Sequence, residues 1–307
     1  MPHSTRTPVR SQGSITDFPQ RQRHSPSTAD PAAHSCCGRT ASARSTGPHY
    51  RGDVDTDTVL KLLQDVAAEV ITPRFRQLAE HQISEKNPGD LVTIADHESE
   101  ELITAALLAA YPEAVVLGEE AMATDPELLG RFGEADHGFT VDPVDGTKNF
   151  VLGSPNHAVM VSEVRAGEVT RGWIWQPQHE AAYVAERGAG AWHNGERLTV
   201  SEPNGAPYRT ARRQWVGRDL PGLGRLELTW ACCGIDYPHL VAGDASALVY
   251  SRSMPWDHLP GSVILTEAGG VIGTIGGEPI APLALQGGLV AAPDQQTYDA
   301  VVSAFAA

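Results

Sequence analysis

The segment VDPVDGTKNF, at residues 141–150, places two aspartates, Asp142 and Asp145, three positions apart around a proline. Carboxylates this close repel each other unless a cation or a proton lies between them. Gly146 and Thr147 follow directly. A glycine lets the backbone approach an anion closely, and free backbone N–H groups there can bind a phosphate. The segment therefore predicts a metal ion, with an anion held beside it.

Three further segments carry acids where strands end or helices begin: GDLVTIAD with Asp96, GEE with Glu119 and Glu120, and WDHLPGSVILTEAGG with Asp257. Carboxylate oxygens suit Mg²⁺ or Mn²⁺, and these segments offer no cysteine that would favour zinc. The Thr147 hydroxyl can orient a water molecule, provided that a carboxylate such as Glu119 accepts its proton. Two metals about 4 Å apart would activate this water and stabilise the leaving oxygen. The pattern predicts hydrolysis of a phosphate ester without a covalent intermediate.

The elements that must position these acids can be predicted from apolar periodicity. Spacings of three and four residues predict a helix from about Asp55 and a second helix beginning near His97, which Asp96 would cap. Short apolar strands are predicted at AVVLGEE (114–120) and GFTVD (138–142), and both end in acids. Because the carboxyl ends of buried strands meet at one sheet edge, where α/β proteins bind ligands, these acids should converge there.

A strand-rich stretch follows, in which Asn194-Gly195 predicts a type I′ hairpin. The last third alternates again, with a strand near LELTWACC and a helix from Asp257. Turn residues near 203–207 predict a boundary. We therefore expect an N-terminal α+β portion with the metal site over residues 53–202, and a C-terminal α/β portion over residues 203–307 that completes the site.

Residues 1–52 differ from the rest of the chain in charge. They contain seven arginines, two aspartates and no lysine or glutamate, and they show no apolar periodicity. Such a segment cannot bury enough apolar surface to order itself, so we predict a disordered N-terminal extension. A targeting leader is the alternative, because the segment is rich in arginine and serine and poor in acids.

Composition excludes some classes of protein. The net charge of −15 argues against a general nucleic-acid binder, which needs a basic face. No apolar run approaches the roughly 18 residues that span a bilayer. We therefore expect a cytoplasmic protein with no nucleic-acid or membrane partner. An anionic substrate remains compatible with the charge, because bound divalent cations reverse the local field.

The segments GDLVTIAD, GEE, DPVDGTKNF and WDHLPGSVILTEAGG resemble the signatures of the inositol monophosphatase family of magnesium-dependent, lithium-sensitive phosphatases. The resemblance covers about residues 54–307, in the family's order. It implies a layered αβαβα sandwich of the sugar-phosphatase type. It also implies two to three Mg²⁺ ions, with Mn²⁺ as an alternative and Li⁺ as an inhibitor. A homodimer is compatible with it, since family members are frequently dimers.

The resemblance implies a role for each site residue. The implied metal ligands are four carboxylates and one backbone carbonyl: Glu119, Asp142, Val144, Asp145 and Asp257. The residues implied to position the attacking water are Glu119 and Thr147, and the catalytic set also includes Asp96, which is implied to support a third, more weakly bound metal through water. The backbone N–H groups implied to bind phosphate are those of Gly146 and Thr147. The residues implied to face the alcohol are Asp145, Cys233, Tyr250 and Asp257. Lys86 lies near the family's lysine before the D-L-V-T motif.

Two departures from the family pattern concern the alcohol. Tyr250 stands where members acting on inositol phosphate commonly carry a glutamate, and the G-S/T-A-A stretch reads Ala231-Cys232-Cys233-Gly234. The expected function is therefore a Mg²⁺-dependent phosphomonoesterase, similar to inositol-1-monophosphatase, that acts on a small polyol or sugar phosphate. The alternatives are a histidinol-phosphate phosphatase, a bisphosphate nucleotidase and a non-catalytic phosphate-binding regulator. Nucleotidases of the superfamily usually show a glutamate at the position of Asn149.

Overall fold

The structure is a computed structural model that describes residues 54–87, 90–280 and 287–306. The disordered extension predicted for residues 1–52 lies outside these ranges. The described ranges contain eight α-helices: α1 (Thr56–Val66), α2 (Ile94–Ala110), α3 (Glu119–Thr124), α4 (Leu128–Glu134), α5 (Thr147–Val151), α6 (Cys233–Ala242), α7 (Pro255–Glu267) and α8 (Gln295–Ala306). The strands found in the same ranges are β1 (Ile83–Asn87), β2 (Asp90–Thr93), β3 (Val115–Gly118), β4 (His137–Asp145), β5 (Ala158–Arg165), β6 (Glu168–Gln176), β7 (Ala181–Glu186), β8 (Gly190–His193), β9 (Glu196–Leu198), β10 (Tyr208–Thr210), β11 (Asp219–Leu220), β12 (Gly224–Arg225), β13 (Glu227–Leu228), β14 (Ala247–Tyr250), β15 (Val271–Thr274) and β16 (Leu289–Ala292).

The larger sheet has seven strands in the order β3-β4-β5-β6-β7-β8-β9. Strands β3 and β4 are parallel, whereas the later neighbours are antiparallel. Strands β8 and β9 are joined by Asn194 and Gly195, whose φ angles are 49° and 81°. Two positive φ values in a two-residue loop confirm the predicted type I′ hairpin.

Apolar side chains on the two faces of this sheet pack against different helices. On one face, Phe139 and Trp173 belong to a core cluster with Leu63 of α1 and Ile103 of α2. Successive side chains in a strand point to opposite faces. Ile174, next to Trp173, accordingly belongs to the other cluster, whose members come from α6 and α7: Tyr237, Leu240, Leu259 and Ile264.

The second sheet has five strands in the order β13-β10-β14-β16-β15. Leu248 and Ala291 pack into the cluster formed by α6 and α7. Val249 and Val290 point the other way and pack against Val301 of α8. The layers therefore run α, β, α, β, α, which confirms the expected layered αβαβα sandwich.

The expected boundary near residue 203 falls between the two sheets in sequence. All strands of the seven-stranded sheet precede it and all strands of the five-stranded sheet follow it. Contacts join both sheets into one compact unit. The division into residues 53–202 and 203–307 stays an interpretation of the sequence.

Three element predictions were wrong in detail. Helix α2 begins at Ile94, not near His97, because Thr93 is its N-cap and Asp96 reaches back as the third residue of a capping box. The strand near LELTWACC is reduced to two paired residues, Glu227–Leu228. Helix α7 begins at Pro255, not at Asp257, since proline is favoured in the first helical turn.

Glu163 on β5 is the centre of a buried ion-pair network that joins the sheet to the start of the described chain. It is 1% exposed and accepts hydrogen bonds from Arg165 Nε at 2.8 Å and Arg171 Nε at 2.6 Å. Arg171 also donates to the Val54 carbonyl at 2.7 Å. Burial alone would raise the pKa of Glu163, but the hydrogen bonds from His137 and Arg171 outweigh it and hold the pKa well below its usual range.

We expect Glu163→Gln to destabilise the protein by about 3 kcal/mol, because two partly buried guanidinium groups lose their buried counter-charge. For a domain of this size the loss corresponds to a fall in Tm of roughly 6–12 °C, measured by thermal unfolding. Glu168→Gln is the matched control. Glu168 pairs with Arg187 at 2.8 Å, but both side chains are more than half exposed. Its loss should change stability by less than about 1 kcal/mol. Equal effects of the two substitutions would contradict a buried network.

Candidate metal and phosphate site

Three carboxylates converge where β4 ends and α7 begins. Oxygen atoms of Asp142, Asp145 and Asp257 all lie within 4.8 Å of one another. Asp257 lies in the first turn of α7, where the partial positive charge of the helix N-terminus favours a carboxylate. The structure thus brings together Asp142 and Asp145, near the end of a strand, and Asp257, near the start of a helix, as predicted from the sequence.

A bulge in β4 explains how two aspartates three positions apart meet on one face. Asp142 lies opposite Met160, and Asp145 lies opposite Ala158, so three steps along β4 match two steps along β5. Residues three apart in a regular strand point to opposite faces, whereas one inserted residue turns the second side chain to the same face. The VDPVD spacing therefore encodes a bulge that pairs the carboxylates.

The cluster is electrostatically unfavourable without a cation. Asp142 is 1% exposed and its Oδ1 has no hydrogen-bond partner. Burial, and then the neighbouring Glu119, Asp145 and Asp257, raise the pKa of Asp142 well above its usual range. The pKa of Asp257 is also raised well above its usual range, by burial and by Asp145 and Glu119. An orphaned buried oxygen within a set of hard oxygen donors fits Mg²⁺ or Mn²⁺.

Glu119 is held beside this cluster by Lys86. The Lys86 Nζ lies 2.6 Å from Glu119 Oε1 and 2.9 Å from Glu120 Oε1. Burial opposes the charge on Lys86, but the two carboxylates outweigh it and raise its pKa. The lysine implied by the family resemblance therefore lies at the site, in spite of the shortened spacing to the D-L-V-T motif.

Sequence reasoning missed Glu100, which positions α3. Its carboxylate accepts hydrogen bonds from the backbone N–H of Glu120 at 2.7 Å and of Ala121 at 2.8 Å. A Cβ at Gly118 would lie 2.2 Å from the Glu100 carboxyl carbon, so a larger residue there would displace the Glu100 carboxylate. Burial raises the pKa of Glu100 to about 7 despite these bonds. A signal was present, since an acid one turn after Asp96 falls on the same buried helix face.

The Thr147 hydroxyl is fixed by two acceptors. It lies 3.1 Å from Asp96 Oδ1 and 3.0 Å from the Val144 carbonyl. Thr93 donates from its backbone N–H and its hydroxyl to Asp96 Oδ2, at 2.8 and 2.6 Å. Burial nevertheless raises the pKa of Asp96 to about 7. Since its hydrogen points at these acceptors, the Thr147 oxygen keeps its lone pairs for a water molecule.

Gly146 begins the short helix α5 in a left-handed conformation, with φ of 78°. A Cβ there would lie 3.0 Å from the Asn156 carbonyl oxygen and 3.0 Å from Cys232 Cβ. The Gly146 N–H donates to the Asp145 carboxylate. First-turn N–H groups have no carbonyl one turn earlier to bind, so that of Thr147 is suited to an anion. Phosphate binding by Gly146 and Thr147 stays a prediction.

Helix α6 contributes the remaining bonds to Asp145. The Gly234 N–H donates to its Oδ2 at 2.5 Å, and the Cys232 thiol donates to the same oxygen at 3.0 Å. Burial and the charge of Asp145 raise the pKa of Cys232 well above its usual range. Cys232 is therefore a thiol donor to an expected metal ligand, a role that the sequence pattern did not reveal.

A cavity of about 350 Å³ opens beside Asp145 and Asp257. Cys233 and Tyr250 line it, as the resemblance implied for the alcohol side. The Tyr250 hydroxyl, however, donates to Asp236 Oδ2 at 3.0 Å. Tyr250 therefore lines the cavity with its hydroxyl already bonded within the protein.

The comparisons with known proteins agree with this arrangement. Residues 54–307 match the model described as the inositol monophosphatase family. The fructose-1,6-bisphosphatase/inositol-1-monophosphatase of Aquifex aeolicus is 30% identical over 236 residues, which cover 72% of this chain and 86% of that protein. The Nus factor SuhB of Pseudomonas aeruginosa is 30% identical over 226 residues, which cover 67% and 80%. The solved structure of the Thermotoga maritima IMPase is similar with a TM-score of 0.68 at 25% identity, over 81% of this chain and 97% of that one.

No helix in the described part of the chain is long and apolar enough to cross a membrane.

The raised pKa values predict that the metal-free protein loses stability as the pH rises from 7 to 8.5. The pKa values of Asp96, Asp236 and Glu100 are about 7. Those of Asp142 and Asp257 are raised well above the usual range for aspartate. The folded state therefore holds protons that the unfolded chain has already released. Stability is lost as the pH rises through the folded pKa values. In EDTA, Tm should fall by several degrees over this window.

Added Mg²⁺ should reverse this trend, because it binds the ionised carboxylates. The increase in Tm produced by Mg²⁺ should therefore be larger at pH 8.5 than at pH 7. Burial lowers the pKa values of His157 and His258 to about 4. Their titration makes the protein more stable as the pH rises, but only below about pH 6.5, so it does not affect the range from pH 7 to 8.5. A Tm in EDTA that stays level or rises from pH 7 to 8.5 would contradict the clustered, buried acids.

Proposed function

This chain belongs to the inositol monophosphatase family of phosphatases, and on that premise we propose that it is a Mg²⁺-dependent phosphomonoesterase acting on a small polyol or sugar phosphate. The observation that carries the proposal is the convergence of Asp142, Asp145 and Asp257 within 4.8 Å, with one buried oxygen of Asp142 unpaired. The expected ligands are these three carboxylates together with Glu119 and the Val144 carbonyl.

Bound divalent ions would supply a water of lowered pKa and would offset charge on the leaving oxygen. Residues of the chain itself orient this water, accept its proton and bind the phosphate. Thr147 donates its hydrogen towards Asp96 and the Val144 carbonyl, so its oxygen accepts a hydrogen bond from the attacking water and orients it. Glu119, held by Lys86, accepts the proton that this water releases. The N–H group of Thr147 binds a phosphate oxygen, and that of Gly146 does so when metal binding releases it from the Asp145 carboxylate.

The alcohol half of the substrate would occupy the cavity beside Asp145 and Asp257. Its volume of about 350 Å³ is near the lower end for small-molecule sites, which suits a polyol or sugar better than a nucleoside. Asn149 also disfavours the nucleotidase alternative. Its side-chain amide donates to the carbonyls of Asn156 and Trp230, at 2.8 and 3.0 Å. An ionised glutamate at this position could not donate these bonds.

A non-catalytic regulator is the alternative from another class. A relative named Nus factor SuhB supports keeping it, since that name describes a factor and not an enzyme. Against it, the chain retains every carboxylate of the expected metal set. Loss of one such acid would be the mark of a protein that only binds phosphate.

The testing experiment is a phosphate-release screen with Mg²⁺, with EDTA and with Li⁺. The panel contains inositol 1-phosphate, sugar phosphates, histidinol phosphate and adenosine 3′,5′-bisphosphate. Metal-dependent release that Li⁺ inhibits supports the proposal, and the preferred ester assigns the substrate class. Preference for histidinol phosphate or for the adenosine bisphosphate would replace the polyol assignment. No release from any ester by folded, Mg²⁺-loaded protein would favour the regulator.

Asp142→Asn should lower kcat by at least about a thousandfold, because it removes a shared metal ligand. The same change removes a buried carboxyl group of raised pKa. The metal-free variant should therefore be at least as stable as the unchanged protein, while its Tm no longer rises with Mg²⁺. Asp136→Asn, at an exposed aspartate outside the site, is the control and should leave both properties unaltered. Near-normal turnover by Asp142→Asn would refute the proposed site.

A further inference from the structure

Two arginines lie in the wall of the cavity that adjoins Asp145 and Asp257. They are Arg212, which follows β10, and Arg252, which follows β14. Strands β10 and β14 are parallel neighbours, and their register pairs Thr210 with Val249. Residues that follow parallel neighbours emerge at the same sheet edge. The topology therefore brings the two guanidinium groups to one cavity although they are distant in sequence.

Neither guanidinium has a charged partner among the residues that the structure describes. Across residues 54–87, 90–280 and 287–306, no ion pair and no side-chain hydrogen bond is found for Arg212 or Arg252. Arg212 lies over the ring of Trp215, with its Cζ 5.2 Å from the ring centre, a contact that leaves the charge uncompensated. Both arginine side chains are exposed, so water can solvate their charges, and the feature that distinguishes them is their position in the wall of the cavity that also contains Asp145 and Asp257.

The nearest acid in the cavity wall is already engaged. Asp236 accepts the Trp230 N–H at 2.9 Å on one oxygen and the Tyr250 hydroxyl at 3.0 Å on the other. The remaining acids of the wall are Asp145 and Asp257, which the proposed function assigns to metal. The backbone at Arg252 is also restrained, because His258 Nε2 lies 3.3 Å from the Arg252 carbonyl oxygen.

We propose that the alcohol half of the substrate carries a second anionic group, a carboxylate or a further phosphate, which Arg212 and Arg252 bind. This inference rests on the proposed function, because the cavity is the site of the alcohol. A guanidinium binds carboxylate or phosphate oxygens through two parallel hydrogen bonds, so the pair selects charge and orientation together. A glutamate at position 250 would repel such a group, whereas Tyr250 is uncharged.

The test compares matched phosphate esters with and without the second anion. Glycerol 2-phosphate and 2-phosphoglycerate differ in one carbon, a hydroxymethyl group in the first and a carboxylate in the second. Fructose 1-phosphate and fructose 1,6-bisphosphate form the pair that tests a second phosphate. For each pair, kcat/KM is measured with Mg²⁺ for the unchanged protein and for Arg212→Gln, Arg252→Gln and Arg213→Gln. Arg213 is the matched control, because it is exposed and adjacent but does not line the cavity.

The unchanged protein should prefer the member with the second anionic group, in at least one pair, by about tenfold or more in kcat/KM. Arg212→Gln and Arg252→Gln should each lower this ratio of kcat/KM values about tenfold, chiefly by raising KM for the ester with the second anion. Arg213→Gln should leave the ratio unchanged. The pair that shows the effect identifies the anion as carboxylate or phosphate. Hydrolysis of the esters that lack the second anion, with no preference for either anion or with a ratio insensitive to both arginines, overturns this inference alone. No release from any of the four esters overturns the proposed function as well.

Discussion

Mutual repulsion among buried carboxylates is the constraint on which the rest of this structure depends. Oxygen atoms of Asp142, Asp145 and Asp257 lie within 4.8 Å of one another, with Asp142 and Asp145 buried and Asp257 partly buried. Like charges at that separation favour the protonated form or a bound cation. The fold must therefore hold three groups at a distance that their charges oppose. It can do so because each carboxylate is supported by a different element.

The supports are local and can be identified one by one. The bulge of β4 turns Asp145 to the side of Asp142, and the N–H groups and thiol at the start of α6 bind Asp145. Helix α7 presents Asp257 in its first turn, at the positive end of its dipole. Glu100 fixes the start of α3 and with it Glu119. The large apolar layers on both faces of the seven-stranded sheet keep these supports from relaxing apart.

Much of the site could be predicted from the sequence because its chemistry is concentrated in short segments. Asp142, Asp145, Gly146 and Thr147 are neighbours in the chain, so their spacing alone indicated a metal and an anion. The order of layers required either the family resemblance or the structure, since periodicity does not say which face of a sheet a helix covers. Asp96 was misread as a helix cap, because a capping box places the acid three residues after the cap.

The features that could not be predicted are those made by contacts between distant segments. Nothing near Cys232 in the sequence indicates that its thiol faces Asp145, and nothing near Arg212 indicates that Arg252 shares its cavity. Both juxtapositions follow from strand order and helix placement. Most of the expected metal ligands come from the seven-stranded sheet and the elements beside it, whereas much of the cavity wall comes from loops of the five-stranded sheet. Tyr250 at the end of β14 therefore lies on a different layer from the bulge of β4 that pairs Asp142 with Asp145, and no spacing within one segment could have shown that both border the same cavity.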